Sequence, residues 1–168
     1  WTHTHLGQAF DENGSWAASG KIIPNLLKSF LSDTYFSKQA PKSTGRDLFN
    51  PSWLNDHLNT TSSQKSAPAD VQATLLALTA RSIADHINAY APNTERLLVC
   101  GGGIKNTALM DSLKTACPSI NSIASTASCA IDPQTVEAAA FAWLAWAHKT
   151  KQPANLPAVT GAKGGRIL

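Results

Sequence analysis

Residues 97–110 decide the fold of this chain, and they read Leu-Leu-Val-Cys-Gly-Gly-Gly-Ile-Lys-Asn-Thr-Ala-Leu-Met. A short apolar strand runs into three glycines, Gly101, Gly102 and Gly103, and then into an amphipathic helix. Residues without a Cβ atom let another molecule approach the main chain closely, and free N–H groups at the start of a helix favour an anionic group. The pattern predicts either a nucleotide contact or a tight turn that binds no ligand.

The spacing of these glycines differs from that of two common nucleotide-binding loops. It matches neither the Gly-x-x-x-x-Gly-Lys-Ser/Thr of a P-loop nor the Gly-x-Gly-x-x-Gly of a dinucleotide-binding fold. No acidic residue follows about 20 residues after the glycines in the expected strand context, which argues against a free-standing NAD-binding domain. A nucleotide bound here would be held by another arrangement of residues.

The composition predicts one domain, residues 1–168, because 168 residues with 43% hydrophobic content can form one ordinary core. The formal net charge is +3, and scattered Lys and Arg residues form no basic stripe, so we expect no nucleic-acid partner. No apolar run reaches the roughly 18 residues that span a bilayer, so we expect no membrane partner. Trp1 in place of Met and the strand-like approach to Leu168 lead us to expect a piece of a longer protein.

The cysteines and histidines give little sign of a metal site. Cys100, Cys117 and Cys129 are odd in number and widely spaced, which favours reduced thiols in a cytoplasm over disulfides or a zinc site. His3 and His5 would point the same way on an extended strand, but two ligands without a third nearby are weak support for a metal. We therefore predict that no side chains of this chain hold a metal.

The first half of the chain is predicted to be helical. Apolar residues that recur at three and four positions predict helices over Asp11–Gly20, from Pro24 through Leu31, around Trp53–Leu58 and over Ala69–Tyr90. The segments without this period are predicted as loops, namely Trp1–Phe10 (or an extended arm), Pro41–Arg46 and Asn59–Ser66.

The second half alternates between strands and helices. Strands are predicted at Leu97–Cys100 and Ile120–Ala124, and helices over Thr107–Ala116 and from Asp132 to Lys149. Asp132 is expected to cap the last helix, and Pro133 suits a first helical position. The glycine-containing tail is predicted to form a final turn and strand. This order predicts an α/β fold, rich in helices, with a small parallel sheet.

Glu137 is the acidic residue in the most informative position. Ala140, Phe141 and Leu144 follow it at plus three, plus four and plus seven, so its carboxylate is expected to share an apolar face away from water. One interpretation is an acid near a helix N-terminus, which is favourable by about 0.3–1 kcal/mol. The other is a carboxylate in a cleft that holds a sugar hydroxyl or tunes a proton transfer.

A second candidate is a short polar loop with two cations and two hydroxyls beside a glycine. Its residues are Lys42, Ser43, Thr44, Gly45 and Arg46. Arg offers a planar fork of donors that suits a carboxylate or a phosphate. A solvated loop without a ligand is the alternative.

Several segments together resemble the C-terminal half of the anhydro-N-acetylmuramic acid kinase family. They occur in the family's order over nearly the whole chain, and Pro41-Lys42-Ser43-Thr44-Gly45-Arg46 is the most specific of them. The others are Ser19-Gly20-Lys21-Ile22, Phe49-Asn50, Val99-Cys100-Gly101-Gly102-Gly103 with Asn106, Asp132-Pro133 with Glu137-Ala138, Phe141-Ala142-Trp143-Leu144-Ala145 and Gly161-Ala162-Lys163-Gly164.

The resemblance implies a fold and an activity. The fold would be a ribonuclease-H-like lobe of the actin, Hsp70 and hexokinase superfamily, and the chain would be the C-terminal lobe of a two-lobed sugar kinase. Such a kinase uses ATP and Mg²⁺ to phosphorylate O6 of 1,6-anhydro-N-acetylmuramic acid while water opens the anhydro ring. The product is N-acetylmuramic acid 6-phosphate, formed in the cytoplasm during recycling of the cell wall.

The resemblance also implies roles for particular residues. The three glycines would lie against the nucleotide, and Asn106 would steady the turn or the ribose. Glu137 would face the sugar in the cleft between the lobes. The sugar side of that cleft would be formed or braced by Lys42, Ser43, Thr44 and Arg46.

The chain departs from the family at several points, among them Ile104, which stands where the family commonly has a small residue after the glycines. The family's phosphate-binding loop and the segment with its presumed catalytic base are absent from these 168 residues, so we expect the fragment alone to be inactive. The N-terminal lobe is the expected partner, and a second copy of the chain in a homodimer is a further one. Residues 127–130 replace a stretch that is usually acidic and ends in glycine, so the alternative is a catalytically silent nucleotide- or sugar-binding module of the same fold.

Overall fold

The structure is a computed structural model that describes residues 1–167. It is an α/β fold, rich in helices, with one two-stranded parallel sheet among the described residues. Its helices are α1 (Thr2–Leu6), α2 (Ser15–Ser19), α3 (Pro24–Leu31), α4 (Thr34–Ser37), α5 (Pro51–Thr60), α6 (Pro68–Tyr90), α7 (Thr107–Ala116), α8 (Val136–Lys149) and α9 (Pro157–Thr160). Short 3₁₀ helices span Glu12–Gly14, Gly102–Lys105 and Thr126–Cys129.

The two strands, β1 (Arg96–Val99) and β2 (Ser122–Ser125), confirm the predicted parallel sheet. Exposure alternates along β1, with Leu97 and Val99 half-buried, so one face of the sheet is covered and the other is open. The first strand begins one residue earlier than predicted. The second begins two residues later, because the N–H of Ile120 turns back to the carbonyl of Cys117 and cannot join the sheet.

The core lies mainly around α6, whose first turn contains Pro68. Two of its members, Leu26 and Phe30, are completely inaccessible to solvent, and the cluster as a whole comprises Leu26, Phe30, Leu54, Leu58, Val71 and Leu78. A smaller cluster of Ala80, Met110 and Leu113 joins α6 and α7 to the covered face of the sheet. The predicted helices over this region are confirmed.

Two predicted boundaries in this region need adjustment. The helix predicted over Asp11–Gly20 is divided into a 3₁₀ helix and α2, because Asn13 takes a left-handed conformation with φ 56°. The loop predicted from Asn59 begins only at Thr61, because α5 continues through Thr60.

The prediction of a loop or extended arm over Trp1–Phe10 is wrong for its first residues, which form α1. The indole Nε1 of Trp1 donates to the carbonyl of Pro68 at 2.8 Å, and the ring lies 4.0 Å from that of His5. These contacts hold α1 against the start of α6. Residues two apart on a helix do not face each other, so His3 and His5 lack the shared direction that an extended strand would provide.

The predicted helix start at Asp132 is also wrong. The Oδ1 atom of Asp132 accepts the N–H of Gln134 at 2.8 Å within a turn, and α8 begins only at Val136. The carbonyl of Pro133 accepts the N–H of Gly101 at 2.7 Å. The segment is therefore bound to the glycine bend at the end of β1 before the helix can start.

Helix α8 is apolar and exposed on most of its surface. Phe141, Trp143 and Trp146 are 65%, 50% and 56% exposed, and within the helix only Ala147 is fully buried.

The tail predicted as a turn and strand contains α9 and no strand in residues 150–167, and Leu168 lies outside the described residues. Across the described chain, none of the helices combines the length and apolarity that a bilayer crossing needs.

Asp33 links α3, α4 and α5 through its carboxylate. One oxygen accepts the N–H of Tyr35 at 2.7 Å, and the other accepts the indole N–H of Trp53 at 2.9 Å. Burial by itself would raise the pKa of Asp33, but these two donors favour the carboxylate, and its pKa lies below the ordinary value. The charged form therefore contributes to the stability of this region.

We predict that Asp33→Asn lowers the free energy of unfolding at pH 7 by about 1 kcal/mol, because one of the two accepting oxygens becomes an NH2 group that faces an N–H donor. The stabilisation by Asp33 is fully present above its unfolded-state pKa and is lost as the pH falls through its lower folded-state pKa. The difference between variant and wild type should therefore shrink below about pH 4. Urea unfolding of the full-length protein from pH 7 to pH 3 measures this, with Asp56→Asn on exposed α5 surface as control. A difference that stays constant with pH would contradict the prediction.

Candidate functional site

The glycine bend after β1 opens onto a cavity of about 550 Å³. A methyl group placed on Gly101 or Gly102 would meet no atom within 4 Å, and one on Gly103 would only touch Leu109 at 3.6 Å. No side chain fills the space beside the bend. The cavity is lined by Thr2, Phe10, Asp11, Asn13, Gln72, Gly102, Gly103, Lys105, Asn106 and Gln134.

The bend itself is held rigidly by hydrogen bonds. Gly101 has φ 74°, in the left-handed region that favours glycine, and its N–H donates to Pro133. Its carbonyl accepts Nε2 of Gln134 at 3.1 Å. Residues 102–105 then form a 3₁₀ turn before α7 begins. Both sides of Gly101 are thus tied to the segment that leads into α8.

Asn106 is committed to the fold through its side-chain oxygen. Its Oδ1 atom accepts the N–H of Leu109 at 2.9 Å and so caps α7. A Cβ atom on Gly14 would overlap this same oxygen, so the backbone of Gly14 packs directly against the cap. Asn106 therefore occupies one of the N–H groups at the start of the helix, that of Leu109.

Several residues of the cavity wall were not singled out from the sequence. Lys105 lies inside the glycine-containing stretch and is the only Lys or Arg among the lining residues that the structure describes. Phe10 and Asn13 come from a segment about 90 residues earlier in the chain. The carboxylate of Asp11 is held by the fold, because its two oxygens accept the N–H groups of Trp16 and Ala17, each at 2.9 Å. The spacing of residues within one segment does not predict which residues from a distant segment will line the same cavity.

The ammonium group of Lys42 is engaged by the fold, and its role toward a substrate stays a prediction. Its Nζ atom donates to the carbonyls of Tyr35 and Phe36, both at 3.0 Å, and lies 4.9 Å from the centre of the Tyr35 ring. The ammonium group thus satisfies carbonyls at the end of α4. Lys42 lines a different cavity of about 570 Å³, together with apolar residues such as Ile83 and Leu97.

The other residues of this loop are exposed. In the described part of the chain, the side chains of Ser43, Thr44 and Arg46 make no recorded hydrogen bond or ion pair. The start of the loop is anchored by the N–H of Ala40, which donates to the hydroxyl of Tyr90 at 3.0 Å. The hydroxyls and the guanidinium group are therefore presented to solvent from a fixed base. The structure does not bring them into the cavity at the glycine bend.

Glu137 is exposed, so the expectation of a carboxylate sheltered from water is wrong for this chain. Of its apolar neighbours on α8, Ala140 and Phe141 are exposed and Leu144 is half-buried. The spacing of these residues does place them on one face of a helix. In the described chain, however, no other element covers Glu137 and Phe141 on that face. Glu137 lines neither of the two cavities described above. Within residues 1–167, no three His, Cys, Asp or Glu side chains are grouped closely enough to hold a metal ion.

We predict that Lys42→Met destabilises the protein without changing nucleotide affinity, because Lys42 supports α4 and lies outside the glycine-bend cavity. Loss of two charge-assisted hydrogen bonds should lower the free energy of unfolding by about 2 kcal/mol. Chemical unfolding and ATP titration of the full-length protein measure the two effects. Lys65→Met, at an exposed lysine in the loop before α6, is the control and should change neither. An unfolding free energy equal to wild type in Lys42→Met would show that Lys42 is not needed for the fold.

Comparison of the amino-acid sequence with those of known proteins identifies the family of this chain. The family model for anhydro-N-acetylmuramic acid kinase matches residues 1–168. Proteins named anhydro-N-acetylmuramic acid kinase from Variovorax paradoxus and Pseudomonas fluorescens are 48% and 50% identical over all of the chain. A third, from Burkholderia orbicola, is 47% identical. The chain spans 44% of the first and third of these relatives and 46% of the second, which is less than half of each. The chain belongs to the anhydro-N-acetylmuramic acid kinase family.

Proposed function

We propose that this chain is the C-terminal lobe of a two-lobed, ATP-dependent sugar kinase with a ribonuclease-H-like fold. The parallel sheet, with helices on one face and the other face open, is compatible with such a lobe. Family membership and coverage of less than half of each relative support a larger protein. The exposed aromatic residues of α8 support it further, because so much apolar surface is usually covered by other protein.

The substrate follows from the name that the relatives carry, which is kinase of anhydro-N-acetylmuramic acid. In the proposed reaction, the oxygen of water bonds to the anomeric carbon and the bond between that carbon and O6 breaks. O6 takes the γ-phosphoryl group, ADP leaves, and a base accepts the proton of the water. This base is expected outside the chain, on the N-terminal lobe. The enzyme would act in the cytoplasm, and three free cysteines in the described chain agree with a reducing compartment.

The glycine bend fits a nucleotide, and this is the single observation that carries the proposal. Gly102 leaves open space where a side chain would stand, beside a cavity within the size range of small-molecule sites. Hydrogen bonds to Pro133 and Gln134 hold the bend at Gly101, which favours binding at a low cost in conformational entropy. When bound, Mg²⁺ would supply charge neutralisation at the phosphates. The described residues offer it no cluster of ligands, so we assign none to it.

The sugar side of the cleft is proposed to include Ser43, Thr44, Arg46 and Glu137. All four are exposed and accessible to a ligand that lies between two lobes. Lys42 braces their loop from behind by holding α4. Once a second lobe covers α8, the carboxylate of Glu137 would lie in a cleft beside apolar side chains and could accept a hydrogen bond from a sugar hydroxyl.

We predict that Gly102→Val raises KM for ATP at least about tenfold, because the new side chain fills space that the nucleotide needs. The backbone at Gly102 is not left-handed and its surroundings are empty, so the fold should be unaffected. Steady-state kinetics and thermal unfolding of the full-length protein measure this. Gly164→Val, at another glycine with open surroundings, is the control. Unchanged kinetics in an active Gly102→Val enzyme would place the nucleotide elsewhere.

We predict that Glu137→Gln lowers kcat/KM for the anhydro sugar at least about tenfold and leaves KM for ATP unchanged, since a neutral amide binds a hydroxyl less strongly than a carboxylate does. The assay supplies full-length enzyme with ATP, Mg²⁺ and the sugar, and the 6-phosphate is identified by mass spectrometry.

In the same assay, the isolated chain of 168 residues should form no 6-phosphate. A full-length protein that binds both ligands without turnover would instead be the silent module, and equal kcat/KM in Glu137→Gln would return Glu137 to a structural role.

A further inference from the structure

Phe10 is exposed at the cavity of the glycine bend. Its side chain is 69% accessible to solvent, and it lines the same cavity as Gly102 and Gly103. Among the ring contacts of residues 1–167, none involves Phe10. A large apolar ring in this setting contributes little to the core of the chain.

The main chain on both sides of Phe10 is held in place. On one side, Gly7 ends α1 with a left-handed φ of 67°, and its N–H donates to His3. On the other, Asp11 is fixed by the N–H groups of Trp16 and Ala17. Only two residues separate Gly7 from Phe10, so the ring is presented at a defined place and does not sit on a long mobile loop.

The rest of the cavity suits the neutral part of a nucleotide. Asn13, Gln72 and Gln134 contribute amides, and Lys105 is the one cation among the described lining residues. Nε2 of Gln134 already donates to the carbonyl of Gly101 and Nε2 of Gln72 to Asp11, which leaves their amide oxygens and the amide of Asn13 for a ligand. The carboxylate of Asp11 already accepts two backbone N–H groups, and Asn106 caps α7. Amides and a flat aromatic ring match a base, which offers donors and acceptors at its edge and π-electron density on its face. A triphosphate would need several cations or free N–H groups.

We propose that Phe10 stacks on the nucleobase of the nucleotide and sets the affinity of this site for its base. The proposal rests on the proposed function, because it requires a nucleotide at the glycine bend. Phe10 then forms one wall and the backbone of Gly102 and Gly103 forms another, with the base between them. The segment that precedes α2 thereby takes part in ligand binding as well as in the fold.

Titration of ATP into the full-length protein by calorimetry tests this. Phe10→Ala and Phe10→Leu should weaken ATP about tenfold, the usual size of a lost base stack, whereas Phe10→Trp should bind as well as wild type. Leu remains apolar and bulky but has no aromatic face, so it separates stacking from filling of space. Leu6→Ala, at an exposed apolar residue of α1 outside this cavity, is the control and should leave affinity unchanged.

The outcomes separate the two proposals. Wild-type ATP affinity in Phe10→Leu or Phe10→Ala overturns the stacking role, and it does so even if Gly102→Val still abolishes binding. A fall in the melting temperature of Phe10→Ala with unchanged ATP affinity would mean that other protein covers the ring, and this also overturns the role. Failure of the wild-type protein to bind ATP would remove the proposed function itself.

Discussion

The hydrogen bond from the N–H of Gly101 to the carbonyl of Pro133, at 2.7 Å, is the constraint on which the site depends. It joins the end of β1 to a segment more than 30 residues later and holds the bend with Gly101 at a φ of 74°, which favours glycine. Because the N–H points at Pro133, the chain must turn before α8 can begin. An open glycine bend and a delayed helix start are therefore two consequences of one contact.

Helix α6 provides the framework that assembles the cavity. It packs against α3 and α5 at one end, where Phe30 is fully buried, and against α7 and the sheet at the other. The carbonyl of Pro68 at its start also holds Trp1. The N-terminal segment thus lies across α6 and reaches the glycine bend, which is how Phe10 and Gly102 come to line one space.

Lys42 and Glu137 show that the environment of a charged side chain cannot be read from the local sequence pattern. Lys42 stands in a polar loop, where a free cation is the natural expectation, yet two carbonyls at the end of α4 hold its ammonium group. Glu137 has apolar neighbours at helical spacing, which predicts shelter, yet that face of α8 is exposed. In both cases the local pattern was correct, but the environment of the charge depends on elements far away in the chain.

The amino-acid pattern alone predicts the α/β order, the helices over the core, the parallel pairing of two short strands and the glycine bend, and its motifs indicate the family. These features follow from local periodicity and from the conformational freedom of glycine, which act within a few residues. The folded structure was needed to show that Asn106 caps α7, that Lys42 supports α4 and that Phe10 lines the same cavity as Gly102. Such contacts join residues whose distance in space is set by packing around α6, and no local spacing encodes that distance.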